Sequence, residues 1–135
     1  MPNLNQLKVG DAIPERNHHA TNVSLFLYNA AIWNPHRIHY DERYTTDVEN
    51  HSGIVIDGPL QGDWLTQAVI NWLGNDGQLV EFEYSNRSAS ILGETLTSGG
   101  TVTSINGTTV TLDIFIRNEA GKVVTPGNAI VRMTA

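Results

Sequence analysis

The period of the apolar residues changes at Gly77, and that change restricts the fold more than any other feature. Before it, in "GPLQGDWLTQAVINWLGNDG", Leu60, Trp64 and Ala68 join Leu65, Val69, Trp72 and Leu73 in one broad helical stripe. Pro59 suits the first turn of that helix, and Gly74 suits its end. After it, "QLVEFEYSNR", "GETLTSGGTVTSI", "TTVTLDIFIRN" and "KVVTPGNAIVRM" alternate apolar and polar residues, as half-buried strands do. Asn106-Gly107 is a strong hairpin turn, and Glu119-Ala120-Gly121 is another turn candidate. One long apolar helix followed by a run of strands predicts an α+β domain whose antiparallel sheet wraps a buried helix. No repeat or linker interrupts residues 1–135, so one domain is expected.

The composition, 40% apolar and 16% charged over 135 residues, is enough for a real core. Without cysteine, disulfides and thiolate metal sites are excluded. A net charge of −6, with eight scattered Lys and Arg, argues against nucleic acid but leaves room for a small phosphorylated ligand. "MPNLNQLKVGDAIPERNHH" lacks the basic flank and apolar core of a secretory signal. No apolar run approaches the roughly 20 residues of a membrane span, so no membrane partner and a cytoplasmic location are expected.

Titratable and amide groups crowd into "NAAIWNPHRIHYDERY", residues 29–44. The preceding "ATNVSLFLYNAAIW" carries Val23, Phe26, Leu27, Ala30, Ala31 and Trp33 at helical spacing, with Thr21 or Asn22 as cap. Asn34-Pro35 ends that helix, because the residue before proline is pushed out of the helical region. Asn34 and His39, five apart across the break, are candidates to face one pocket; the plain alternative is a turn cap and an ordinary half-buried histidine. His39 follows apolar Ile38 and is the better inward candidate than His36. The spacing of His36, His39 and Asp41 fits no usual zinc pattern, so no metal is expected. Arg37 reads either as a partner of Asp41 or Glu42 or as a phosphate contact. Trp33 stands beside it as a substrate-contact candidate. Asp57 is an N-cap candidate, and Asp63 suits the first turns of the long helix; either alternatively points at a ligand. Gly58 permits a tight turn, or offers a free N–H to an oxygen that gains negative charge. Trp64 and Trp72 share one face and read as core or subunit contact.

"YNAAIWNPHRIHYDERY" followed by "GIVIDGPLQGDWLTQAVINWLG" resembles the MaoC-like acyl-CoA hydratases and dehydratases of the hotdog fold, and "RSASILGETLTSGGTVTSI" extends the likeness. It runs from about Val9 to the end of the chain. The pattern around His39 is similar to fatty-acid-synthase-type and mitochondrial-type 3-hydroxyacyl thioester dehydratases. The helix is similar to small MaoC-like subunits of steroid side-chain degradation. The resemblance implies a homodimer, or a heteromer with a second hotdog chain, joined edge to edge. It also implies a thioester tunnel, with acyl-CoA or an acyl-carrier thioester as substrate and no other cofactor.

In that family an Asp and a His five apart hold the reacting water; here the positions are Asn34 and His39. An amide orients water but takes no proton at neutral pH, which leaves proton transfer to His39. Asp57 stands where many relatives have histidine. It would oppose enolate charge, pair with a cationic His39 or contact a polar substrate group. Gly58, Asp63 and Gln67 echo the spacing of acyl-carrier-protein dehydratases. The expected activity is hydration of 2-enoyl-CoA or dehydration of 3-hydroxyacyl-CoA. The alternatives are a partner-dependent, non-catalytic subunit, and a thioesterase using Asp57 or Asp63. For CoA itself, Arg87 and Lys122 are the available cations.

Overall fold

The computed structural model describes residues 2–134. The chain runs β1 (Ala12–His18), α1 (Asn22–Ala31), a 3-10 turn (Arg37–His39), α2 (Glu42–Asp47), α3 (Gly58–Leu73), β2 (Gly77–Tyr84), β3 (Leu96–Asn106), β4 (Thr109–Arg117) and β5 (Val123–Met133). Four strands follow the long helix, as the change of period predicts. Gly107 (φ 61°) turns the β3–β4 hairpin, and Gly121 (φ 82°) turns the next one. Both lie in the left-handed region that glycine enters without steric cost.

The strands form one antiparallel sheet in the order β1-β3-β4-β5-β2. Helix α3 packs against β1, β2, β3 and β4. Its Leu65, Ala68, Val69 and Leu73 are buried, against Leu112, Ile114 and Val131 among the sheet's contributions to the same cluster. Each large side chain removed from water in this way is worth roughly 1.5–3 kcal/mol. The sheet and α3 therefore form the frame on which the preceding segments hang. Trp64 and Trp72 pack against this cluster as partly buried residues, and the His18 ring stacks on Trp64 at 4.4 Å.

Helix α1 has the expected start: Thr21 and Ser24 cap it reciprocally. The face it buries is not the one its apolar spacing suggests. Leu25 and Asn29 point inward, whereas Val23, Phe26, Leu27 and Trp33 are exposed. Trp33, just past the helix, has φ 57°, a conformation a bulky residue seldom takes. The β-branched run "GIVIDG" makes a single bridge, Val55 to Ile91.

At the middle of the sheet, Gly100 allows close strand contact. A Cβ there would meet the Asp113 carbonyl oxygen at 2.6 Å and the Ile114 and Ile13 side chains at 3.1 and 3.2 Å. Backbone cannot yield as a side chain does, so Gly100→Ala is expected to destabilise the protein by about 1–3 kcal/mol, read from the urea unfolding midpoint.

Candidate active site

The segment Ile54–Ile56 carries the site. It is held on one side by Val55 N–H donating to the Ile38 carbonyl (3.0 Å). On the other side, Ile56 N–H donates to Ser90 and Leu92 N–H donates to Ile54, both at 2.8 Å. The Val55 carbonyl then accepts from His39 Nδ1 at 2.7 Å. A carbonyl can only accept, so Nδ1 carries the proton and Nε2 keeps its lone pair. His39 is 7% exposed, while His36 lies at the surface and caps the 3-10 turn through its Nδ1.

The same segment runs straight into Asp57 and the start of α3. Asp57 is the N-cap residue, yet its side chain makes no capping hydrogen bond. Gly58 follows as the first helical residue. Its N–H has no carbonyl four residues back within the helix, and Pro59 has no N–H at all. Asn86 closes over this turn: its Nδ2 lies 1.9 Å from where a Gly58 Cβ would stand, so no larger residue fits without displacing that amide. Asn86 Oδ1 accepts from Thr125 Oγ1 (3.1 Å), which also donates to Gln61 Oε1 (2.5 Å). Gln61 in turn donates to the Ile56 carbonyl at 3.3 Å. The helix start is thus tied to both β5 and the bridge segment.

A cleft of about 350 Å³ opens here, lined by His39, Asp57, Gly58, Gln61, Asn86 and Arg87 among others. A larger hollow of about 570 Å³ runs along β2, β4 and β5, but no histidine lines it.

Asn34 does not line the cleft. It borders an apolar depression formed by Phe26, Ala30, Trp33, Pro35 and Tyr40, together with Asn29. Its Oδ1 accepts from the His36 N–H at 3.3 Å. Asp57 lines the cleft with His39, and the amides of Asn29 and Asn34 act on its carboxyl as well.

Asp57 is 1% exposed, and neither carboxyl oxygen has a hydrogen-bond partner. Burial pushes its carboxyl above the usual range, against the downward pull of His39 and the two amides. Asn29 is the residue the sequence reading missed. It is 4% exposed, donates to the Leu25 carbonyl at 2.9 Å and leaves its Oδ1 unpaired. A signal for it existed: Asn29 lies four residues after Leu25, on the same helical face.

The remaining candidates sit apart from His39. Arg37 is bound to Asp41 at 2.8 Å and lies over the Tyr44 ring. Asp63 is exposed on α3 and accepts from the Tyr28 hydroxyl at 2.5 Å. Burial, and then Asp63, raise the Tyr28 hydroxyl well above its ordinary value. Trp33 is 91% exposed at the rim of the α1 depression. Among the described residues, no three of His, Asp and Glu converge as metal ligands, and no helix is long and apolar enough to cross a membrane.

The family model for hydroxyacyl-thioester dehydratase type 2 matches residues 3–92. The chain belongs to that family. A curated relative, the mitochondrial hydroxyacyl-thioester dehydratase type 2 of Saccharomyces cerevisiae, is 27% identical over 93 residues, which is 65% of this chain and 33% of the relative. The chain therefore spans about a third of that relative's length.

The fold is shared with several solved structures. An (R)-hydratase from A. caviae involved in PHA biosynthesis has a TM-score of 0.87 at 17% identity, over 96% of this chain and 98% of that one. The ChsH1–ChsH2 complex of Mycobacterium tuberculosis gives 0.84 at 18% identity, over 94% and 98%. A MaoC-like dehydratase from Rhodospirillum rubrum gives 0.81 at 19% identity, over 98% and 97%. These structures bear out the α+β hotdog fold, and the family model bears out the resemblance to the hydroxyacyl-thioester dehydratases.

The buried Asp57 has a consequence for stability. Its folded carboxyl holds a proton more tightly than an unfolded one, so the unfolded state ionises first as pH rises above 3.8, the carboxyl's ordinary value. That ionisation costs the native state stability progressively until the folded carboxyl has titrated too. Asp57→Asn is therefore expected to be the more stable protein at neutral pH, with the difference closing as the pH falls toward 3.8. Urea unfolding at a series of pH values measures it; a difference that does not vary with pH would contradict the assignment.

Proposed function

We propose that the chain is a hydro-lyase of acyl thioesters, adding water to 2-enoyl-CoA and, in reverse, dehydrating 3-hydroxyacyl-CoA. The observation that carries this reading is the tautomer of His39. With Nδ1 committed to Val55, the free Nε2 belongs to a ring that lines the same cleft as the uncapped start of α3. A base and an oxyanion donor on one cleft are the two parts that hydration of an enoyl thioester requires.

The steps balance without any further group. His39 Nε2 takes a proton from water as the water oxygen bonds to C3. The π electrons of the C2–C3 double bond move through the thioester to its oxygen, where the Gly58 N–H and the Asn86 amide receive the charge. The enolate then takes the proton back from the imidazolium at C2, leaving a 3-hydroxyacyl thioester and neutral His39. Preorganised donors of this kind stabilise developing charge strongly because they need no reorientation. Arg87 at the rim is the cation in reach of a CoA phosphate.

A second reading is favoured by a separate observation. Val23, Phe26, Leu27 and Trp33 form an exposed apolar face on and beyond α1. Such a face on a small protein marks an interface, so this chain is read as one member of a dimer, with itself or with a second hotdog chain. The structurally similar ChsH1–ChsH2 complex supports the heteromeric form. The yeast relative is named as mitochondrial, so it lends no support to a cytoplasmic location.

Purified protein is expected to hydrate crotonyl-CoA or a longer 2-enoyl-CoA, followed by loss of enoyl absorbance. His39→Ala should lower kcat about 100-fold or more. Release of free CoA with the double bond intact would instead indicate a thioesterase. No hydration of any enoyl-CoA, alone or with a co-purifying hotdog partner, would remove the hydratase reading.

A further inference from the structure

The mechanism above leaves one buried titratable group unused. Asp57 lines the cleft, yet both of its carboxyl oxygens are shielded from solvent and neither is hydrogen bonded. An isolated carboxylate in that position is costly unless a positive charge accompanies it. The elements packed around it offer one such charge. From the 3-10 turn comes His39; from α1 come the neutral amide of Asn29 and the hydroxyl of Tyr28; from β2 comes the hydroxyl of Tyr84; and Asn34 adds a second neutral amide. Asp63, one turn along α3, carries the same sign as Asp57 and acts on the same two tyrosines. The His36 ring faces His39 at 5.8 Å and Arg87 lines the same cleft, but of the side chains acting on the Asp57 carboxyl His39 alone carries a basic nitrogen.

We propose that Asp57 is a positioning residue for the reaction: from the N-cap of α3 it sets the proton affinity of His39, acting as the counter-charge of the imidazolium. The inference rests on the hydratase reading. It explains why an N-cap carboxylate leaves the helix start uncapped: the side chain turns inward, away from the N–H groups it would ordinarily satisfy. The Gly58 N–H is thereby left free for substrate. A positive charge on the His39 ring offsets the burial cost of the Asp57 carboxylate. No extra proton is consumed; the proton taken from water still passes through Nε2 to C2.

The test follows the His39 ring by NMR from about pH 4 to about pH 9 in wild-type and Asp57→Asn protein, assigned with His39→Ala. The pH dependence of kcat/KM for enoyl-CoA hydration is measured alongside. Asp57→Asn is expected to move both the ring midpoint and the acid limb of the profile down by about one pH unit or more. It should also lower kcat by about tenfold or more, through a weaker base. An unchanged ring midpoint overturns the proposal, whatever happens to the rate, since a merely structural role would lower activity without moving it. Should Asp57→Asn fail to fold, carbon NMR of the wild-type carboxyls decides. A carboxyl responding at the ring's midpoint supports the pair, and none doing so sinks it. A wild-type protein without hydratase activity would remove the functional reading alone, and the ring titration would still decide the pair.

Discussion

The peptide at Val55 is the joint on which the site depends. Its N–H is committed to the backbone of Ile38, its carbonyl to the ring of His39, and it continues within two residues to Asp57 and Gly58. Two chemically distinct groups, an imidazole from a loop and a helix N-terminus from the core, are thus registered by the backbone of a single residue. The choice of tautomer comes from the same contact.

The frame behind that joint is the sheet and its central helix. Leu65, Val69 and Leu73 anchor α3 from within the apolar cluster, so its first turn is fixed relative to β5. Thr125 on β5 then reaches Gln61 and Asn86 through one hydroxyl. The polar groups around the cleft are therefore tied to the part of the molecule that buries most apolar surface. Asp57 is the exception. It is held by its backbone, while its carboxyl has no hydrogen bond; a group left unsatisfied in this way is commonly kept for activity at a cost in stability.

Much of this was legible in the residues. The change of period at Gly77 predicts the four strands and the helix before them, and Asn106-Gly107 predicts their first hairpin. These features are local, and local signals survive folding well. Gly58 at the helix start and His39 as the inward histidine were readable for the same reason. The face of α1 was not. Val23, Phe26, Leu27 and Trp33 outnumber Leu25 and Asn29, and a count of apolar positions cannot tell a core from a surface that meets another molecule. Nor does spacing reveal that Asn34 borders the α1 depression while His39 lines the cleft. The burial of Asp57 and Asn29 depends on segments that meet only in three dimensions.

The single bridge between Val55 and Ile91 also works as a lever. The stretch from Ser85 to Leu92 presents Arg87 to the surface at one end and grips the Ile54–Ile56 segment at the other. A force applied to the guanidinium has a short path of backbone hydrogen bonds to the imidazole. The surface loop and the buried imidazole are thus parts of one hydrogen-bonded unit: Ser90 and Leu92 hold Ile54 and Ile56, and Val55 between them holds the ring.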